Sequence, residues 1–453
     1  MTSVPAPSSS VEKRSRPDSM PKVIVASLIG TTIEWYDFFL YGSAAALVFG
    51  SVFFPGTDAL TGILLSFATY AVGFFARPIG GIVFGHYGDR IGRKRMMVLS
   101  LLLMGISTML IGILPTYAAV GLLAPLLLVL CRLVQGFAVG GEWGGAVLMI
   151  SERGDASRRG FFASWPQAGL PAGQAISVAV LAIMAVVMPD DQFLAWGWRI
   201  PFLLSGVLIV VGLWIRFSIA ESPLFVEARE RADAAREMRM PLVEVLGNYR
   251  REVLLAMGSR FCENVTGYLF TAFVLVYGTQ VAGLQRGDIL LGVFVGSLFH
   301  FAAVPTWGAL SDRIGRRPVI IFGAAGVGIW GFVIWPLIST GTTLAAIIAI
   351  SVALILHGAI IGPQAAFVSE LFGTSVRYTG ASLGIQFASI FAGSVAPTIA
   401  VALLAAFGSS WPISIYGAIT AAVTIVAIAL ARETRRRNLS FDSHDASATL
   451  DRA

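Results

Sequence analysis

Long apolar segments are the feature that most restricts how this chain can fold. Twelve runs of about 20 residues occur, each with the length of an α-helix that crosses a lipid bilayer. Hydrophobic residues make up 56% of the chain and charged residues 13%, whereas soluble domains carry about 25% charged residues. We therefore predict an all-α membrane protein with twelve transmembrane helices. The segments span residues 25–50, 60–84, 96–114, 119–150, 161–188, 199–219, 252–281, 287–308, 318–338, 343–369, 378–406 and 411–431.

A charged, glycine-rich sequence occurs twice, each time between two apolar segments. The first copy begins at Gly85 and reads GHYGDRIGRKR, and the second begins at Gly308 and reads GALSDRIGRR. An acid and a base seven residues apart recur at nearly the same spacing, as Glu152 with Arg159 and then as Glu370 with Arg377. Landmarks repeated in the same order are typical of transporters built from two homologous halves. We therefore predict two six-helix bundles related by pseudo-symmetry.

This duplication and the apolar pattern divide the chain into five predicted parts. They are a disordered cytoplasmic tail at 1–22, an N-terminal bundle at 23–219, a cytoplasmic linker at 220–251, a C-terminal bundle at 252–431 and a second cytoplasmic tail at 432–453. The first tail is rich in Ser and Pro and lacks the apolar core and cleavage site of a signal peptide. We therefore expect no cleaved signal.

Positive charge indicates how the helices are oriented. The chain carries 32 Lys and Arg and a net charge of +6. Most of these bases lie in the tails and alternate loops, so the positive-inside rule places both termini in the cytoplasm. We expect the protein in the inner (plasma) membrane. A nucleic-acid partner is not expected, since no basic patch is interleaved with aromatics on a soluble surface. Five of the Lys and Arg residues lie outside the tails and alternate loops: Arg77, Arg132, Arg199, Arg260 and Arg286.

Two carboxylates lie within the first apolar segment, at Glu34 and Asp37, with Tyr41 one turn further. A spacing of three places the two acids on one face of a helix. An acid at membrane depth costs about 2.5 to 3.5 kcal/mol unless it faces a cavity or a partner, so it indicates a functional site by default. The alternative is a structural hydrogen bond or ion pair with a neighbouring helix.

Helices 4 and 7 carry further charges at similar depth. Arg132 and Gln135 share a face near the middle of helix 4, and Glu142 lies near its inner end. In helix 7, Arg260 and Glu263 lie about as deep as the acids of helix 1. We predict that these residues line a proton and substrate pathway. For Glu142, a structural salt bridge is the open alternative.

Three other polar residues have structural alternatives and are left out of the predicted pathway. Arg77 lies near the end of helix 2, where it either caps the helix or extends its charge to the interface. His300 and His357 lie within helices 8 and 10, where histidines relay protons in some proteins and are packing groups more often.

The energy source is narrowed by the motifs that the sequence does not contain. No lysine stands in a Gly-Lys-Ser/Thr setting, so the chain has no Walker A motif for ATP hydrolysis. No His/Cys cluster at metal-ligand spacing and no Gly-x-Ser-x-Gly nucleophile turn occur. We therefore expect no enzymatic activity and no cofactor, and the buried carboxylates favour coupling to protons.

These motifs together resemble the major facilitator superfamily, and within it the metabolite:proton symporter family. The resemblance covers residues 22–434. It depends on the duplicated GxxxDRxGR sequences, on Arg132-x-x-Gln135-Gly136, and on the runs EWYDF from Glu34, GGEWGG from Gly140 and WGWRIPF from Trp196. The resemblance implies a monomeric transporter that works by alternating access. It also implies proton-coupled symport of a small organic metabolite. Known members of that family carry shikimate, 2-oxoglutarate, citrate, proline and betaines, so the identity of the solute stays open, and we favour an organic acid such as shikimate or a dicarboxylate.

The same resemblance implies a latch that closes the cytoplasmic side. In the first half its residues are Gly85, Asp89, Arg90, Gly92 and Arg93 with Glu152 and Arg159. In the second half they are Asp312, Arg313, Gly315 and Arg316 with Glu370 and Arg377. The second copy departs from the first because Ser311 replaces Gly88 and Pro318 follows the base pair, so the two latches are not expected to be equally strong.

The sequence alone leaves open the mode of transport and the residue that carries the proton. Uniport or antiport by the same fold is the nearest alternative to symport, and a non-transporting membrane receptor is a more distant one, because the tail after Thr434 is short and polar. The resemblance also falls on Asp37, which we favour as the proton carrier, with Glu34 as its partner.

Overall fold

The computed structural model describes residues 20–91, 93–140, 156–218, 245, 247–372 and 377–435. In these ranges all regular structure is helical, and twelve long helices follow one another along the chain. The helices of the first half are α1 (Met20–Phe53), α2 (Ala59–Ile91), α3 (Arg93–Ile113), α4 (Leu123–Val139), α5 (Arg159–Val187) and α6, which is broken into Asp190–Gly197 and Arg199–Ser218.

The second half repeats this series. Its helices are α7 (Arg250–Tyr268, Leu269–Phe273 and Val274–Gln280 in succession), α8 (Arg286–Ile314), α9 (Arg316–Trp330, followed by Ile334–Ile338), α10 (Thr343–Leu371), α11 (Arg377–Ala388, Ser389–Ser394 and Ala396–Phe407) and α12 (Trp411–Leu430). Both α1 and α7 contain a π-helical turn, at Ala45–Phe49 and Leu269–Phe273, which lie at corresponding positions of the two halves. Such wide turns are frequent at functional sites.

Not every helix is apolar enough to be recognised as a membrane span by itself. Among the described residues seven helices pass a test of length and hydropathy, and eight pass if the bent α6 counts as one span. The others have specific reasons to fall short. For example, α7 includes the buried residues Arg260, Glu263 and Asn264, and α9 is interrupted after Trp330. Neighbouring helices rather than lipid surround these polar groups.

Helices pair in the same way in both halves. In the first half α1 packs on α5, α2 on α4 and α3 on α6, and in the second half α7 packs on α11, α8 on α10 and α9 on α12. The α2–α4 contact is made backbone to backbone, because a Cβ added at Gly136 would lie 1.8 Å from the carbonyl oxygen of Gly73. Small residues at such crossings are the usual means of bringing membrane helices close together. The predicted architecture of twelve helices in two related bundles is thus confirmed.

The two halves contact each other along α5 with α8 and α10, α2 with α11, and α1 with α7. One end of this interface carries the second copy of the charged sequence, at 308–317, and we call it the motif end. At the opposite end Arg286 of α8 forms an ion pair of 2.6 Å with Asp190 of α6. The halves therefore meet at both ends, with the buried polar residues enclosed between them.

Candidate functional site

The motif end is held by a carboxylate at the start of a helix. Asp312, near the end of α8, accepts hydrogen bonds from the backbone N–H groups of Gly160 and Phe161, each 2.8 Å long. These groups belong to the first turn of α5, where unpaired N–H groups and the helix dipole favour an anion. Arg316 binds the same carboxylate at 2.7 Å. Asp312 therefore joins the second half of the chain to the first.

A second carboxylate, Glu370 at the end of α10, completes this cluster. Arg159 of the first half binds its Oε1 at 3.1 Å, Arg316 approaches the same oxygen at 3.4 Å, and Thr434 donates to Oε2 at 2.6 Å. Arg316 and Glu370 are both fully buried. Charge-assisted bonds of this kind are about twice as strong as neutral ones, so the cluster joins the halves firmly at the motif end.

The latch predicted from the resemblance is only partly within the described residues. The structure brings Asp312, Arg316 and Glu370 together with Arg159, which was predicted for the latch of the first half and here reaches across to Glu370. Gly315 has φ of +108° at the α8–α9 turn, a value that favours glycine, while the side chain of Arg313 is exposed. The remaining predicted side chains lie outside the described part of the chain: Gly85, Asp89, Arg90, Gly92, Arg93, Glu142, Glu152 and Arg377.

Asp37 lies inside the first bundle. Its side chain is 3% exposed, and its Oδ1 accepts a hydrogen bond of 2.7 Å from Ser205 of α6. Thr108 of α3 is a polar neighbour of Asp37, and its hydroxyl donates to the backbone oxygen of Met104 at 3.0 Å. Gln135 of α4 donates to the Thr108 hydroxyl at 2.7 Å and accepts from Arg132 at 2.9 Å. A chain of hydrogen bonds therefore runs from Arg132 through Gln135 to Thr108, which lies beside Asp37.

Arg132 is surrounded by aromatic rings. Its guanidinium lies 4.1 Å from the ring centroid of Tyr41 and 4.7 Å from that of Tyr70, and it also donates to the backbone oxygen of Tyr70 at 3.3 Å. Aromatic faces attract a cation, and the attraction is strongest where water is excluded. The rings therefore stabilise a positive charge that is 2% exposed.

Arg77 occupies a similar setting nearer the second half. It is 8% exposed and lies over the rings of Phe38 and Phe74, at 4.7 and 4.2 Å. Glu34, also buried, is close enough to act on it electrostatically. Glu34 thus lies near Arg77 and Asp37 lies near Arg132, although the two acids are three residues apart on α1.

The second half contributes an ion pair of its own. Arg260 and Glu263 of α7 lie 3.1 Å apart, and both are buried. Asn264 donates to Glu263 at 3.1 Å, and Gln364 of α10 accepts from Arg260 at 2.9 Å. The charge of Glu263 is therefore compensated by groups of its own helix.

A small cavity lies between the halves. The first half supplies an apolar wall of Trp35, Phe39 and Leu170, and the second half supplies a polar wall. At 100° per residue along a helix, Asp37 lies on the side of α1 opposite to Trp35 and Phe39. The polar wall consists of Glu263, Asn264, Tyr268, Thr271, His300 and His357, beside Gly267 and Leu354.

Several of these residues have no signal in the local sequence. Ser205 and Thr108 are ordinary hydroxyls, and nothing near them indicates a carboxylate partner more than 70 positions away. His300 and His357 are recognisable in the sequence as polar residues within apolar segments. Nothing in the sequence indicates that their rings are in contact. Arg77 stands out in the sequence only as a base inside an apolar run. This position does not by itself distinguish a base that caps a helix from a buried one.

Two related six-helix bundles, with compensated charges between them and a cavity at their interface, define the architecture of a secondary transporter. The family comparison agrees. The model of the Major Facilitator Superfamily matches residues 27–394, and this chain belongs to that superfamily. It is a multi-pass membrane transporter and not an enzyme.

Relatives of known name are similar over most of their length. The inner membrane metabolite transport protein YhjE of Escherichia coli is 40% identical over 93% of this chain and 96% of its own. The shikimate transporter of Escherichia coli is 42% identical over 86% and 89%, and its proline/betaine transporter is 32% identical over 92% and 84%. Among solved structures, a D-xylose-proton symporter superposes with a TM-score of 0.72 at 18% identity, covering 93% of this chain and all of that one.

Proposed function

We propose that this protein is a proton-coupled symporter that carries a small organic acid across the inner membrane by alternating access. The observation that supports it most is the set of buried charges on both sides of the cavity. Acids at such positions are typical of proton pathways. The shikimate transporter, 42% identical to this chain, favours an organic acid over a zwitterion or a sugar.

In this proposal the motif end faces the cytoplasm, because the positive-inside rule places the basic loops there. The Asp312 and Glu370 cluster then closes the cytoplasmic side while the opposite side opens. The cluster breaks when the halves rotate toward the inward-facing state, and the exchange of contacts at the two ends is what makes access alternate.

Asp37 is the proposed proton carrier, with Glu34 as its partner. When ionised, Asp37 accepts from the Ser205 hydroxyl, and the positive charge of Arg132, which lies beyond Thr108 and Gln135, balances its charge. When protonated, it becomes a neutral group that costs far less to keep away from water. A shift of Arg132 during alternating access would change the balance between these two forms, so a proton would load on one side and leave on the other.

Uptake by the purified full-length chain in proteoliposomes tests this function. The panel contains shikimate, succinate, benzoate and glycine betaine, each with and without an inwardly directed proton gradient. We expect one of the acids to accumulate above its external concentration only when the gradient is present. Accumulation without a gradient, or equilibration that a gradient does not change, would assign the chain to antiport or uniport.

A further inference from the structure

Two histidines from different helices share a hydrogen bond in the polar wall of the cavity. His300 of α8 and His357 of α10 are 2% and 1% exposed, and Nε2 of His300 lies 3.1 Å from Nδ1 of His357. Nε2 of His357 lies 3.0 Å from the backbone carbonyl oxygen of Glu263. Both rings line the cavity. The proposed mechanism through Asp37 does not use them.

The partners of the two rings determine where their protons lie. A carbonyl oxygen only accepts, so Nε2 of His357 carries hydrogen and donates to it. Nδ1 of the neutral His357 ring is then bare and accepts from Nε2–H of His300. Three of the four ring nitrogens are thereby committed. The network leaves Nδ1 of His300 as the nitrogen at which the neutral pair can gain a proton.

In the part of the chain that the structure describes, the charges around the pair do not supply a counter-ion for that proton. From α7, Glu263 is paired with Arg260, and Tyr268 lines the same cavity. In the described residues of α5 the charged side chain is Arg159 at its first residue, which binds Glu370. In α8, α9 and α10 the charged residues lie at the helix ends: Arg286, Asp288, Asp312, Arg313, Arg316, Arg317 and Glu370.

The described residues of the first half do not provide a counter-ion either. Helix α1 places Trp35 and Phe39 against the cavity, Glu34 faces Arg77, and Asp37 lies on the opposite side of the helix. An imidazolium at this position would therefore be an uncompensated buried charge, which is costly. The missing negative charge would have to enter the cavity from outside.

We propose that the His300–His357 pair is an anion-dependent proton site, which gains one proton on Nδ1 of His300 when the carboxylate of a bound substrate occupies the cavity. The proton comes from the aqueous side that the cavity faces, and an N–H bond forms as the carboxylate loses its water. Substrate and proton then bind together as a neutral pair and leave together. This site deepens the proposed symport function and is separate from Asp37.

Histidine ¹⁵N NMR on the full-length protein in nanodiscs measures this directly. The chain has four histidines, so the ring signals can be assigned with His300→Gln and His357→Gln. The variant His444→Gln, in the C-terminal tail, serves as the matched control. Gln at 300 retains an N–H where Nε2–H stood but cannot take up a proton at the position of Nδ1.

We expect both buried rings to carry hydrogen on Nε2 at high pH. Saturating shikimate, succinate or benzoate should increase the protonated fraction of His300 at about pH 6 by several-fold, within the range in which histidine charge changes, while the uncharged methyl ester of shikimate should not. The response should be lost in His300→Gln and kept in His444→Gln. Hydrogen on Nδ1 of His357, no increase with any of the three acids, or an equal effect of the ester would overturn the proposal.

This result is independent of the uptake assay. A pair that responds to the acids in a protein without gradient-driven accumulation would support the anion site and contradict the symport function. Gradient-driven accumulation with no response of the histidine pair would support the symport function and contradict the anion site.

Discussion

Replacing Asp312 by Asn tests the closure of the motif end most directly. The carboxylate accepts from two backbone N–H groups of α5 and from Arg316, at 2.8, 2.8 and 2.7 Å. An Asn side chain offers one oxygen, so it keeps at most one backbone bond and turns an NH₂ group toward the other donor. The negative charge at the start of α5 is also lost. The protein still inserts, because the change is isosteric.

The size of the effect follows from these bonds. Hydrogen bonds to charged groups contribute about 1.5 to 3 kcal/mol each, and part of the Arg316 interaction is retained through Glu370. We estimate a net loss of about 2 to 4 kcal/mol in the closed state, adding a helix-dipole contribution of about 0.3 to 1 kcal/mol. Since about 1.4 kcal/mol corresponds to a factor of ten, the fraction open at this end should rise between about 30-fold and about 700-fold.

Accessibility of a cysteine in place of Ser164 provides the assay. Ser164 is fully buried, and a Cβ added to Gly308 would lie 2.8 Å from its Cβ, so it is covered as long as the two halves touch. The rate of maleimide labelling at position 164 should rise with the open fraction in Asp312→Asn. Asp288→Asn, at the other end of the same helix, is the control. Equal labelling rates in the two variants would refute this account of the latch.

Three further predictions concern other parts of the molecule. Asp37→Asn should abolish gradient-driven accumulation of substrate but leave substrate exchange across the membrane; accumulation with normal pH dependence would make Asp37 structural. Gly136→Ala should destabilise the protein by about 1 to 3 kcal/mol, because overpacking a close helix contact carries that cost and its Cβ would meet Gly73 at 1.8 Å; thermal unfolding measures this, with Gly417→Ala, whose nearest neighbour would be 3.9 Å away, expected to be unchanged. Asp190→Asn should alter labelling at the opposite end by no more than about 5-fold, since an ion pair with one largely exposed partner contributes about 0 to 1 kcal/mol; a change as large as that of the motif end would contradict this.

The architecture could be predicted from the sequence because it depends on repeated, local patterns. Apolar runs of bilayer length and two copies of one charged sequence are sufficient to indicate twelve helices in two bundles. The spacing of Arg132 and Gln135 likewise predicts one face of one helix, and their hydrogen bond lies on it.

Contacts between distant helices could not be predicted in this way. Arg159 meets Glu370 across 211 positions, and His300 meets His357 across 57. Which residues adjoin depends on how far each helix is rotated about its axis and how closely glycines allow it to approach. The spacing of Glu34 and Asp37 predicts one shared face, whereas packing places Glu34 near Arg77 and Asp37 against Ser205, because a helix in a bundle has neighbours on several sides.

The hydrogen bonds from Gly160 and Phe161 to Asp312 have an implication for how this transporter tolerates sequence change. Asp312 binds main-chain N–H groups, which almost any residue at position 161 would supply. The ring of Phe161 can therefore vary without loosening the contact, whereas proline at 161 would remove a donor. Position 160 is restricted for a different reason: a Cβ there would lie 2.3 Å from Arg316 and 2.6 Å from the backbone oxygen of Gly308. The Asp312 contact thus requires an unobstructed peptide backbone on one half and a specific side chain on the other, whereas the Arg159–Glu370 contact at the same end requires a side chain from each half.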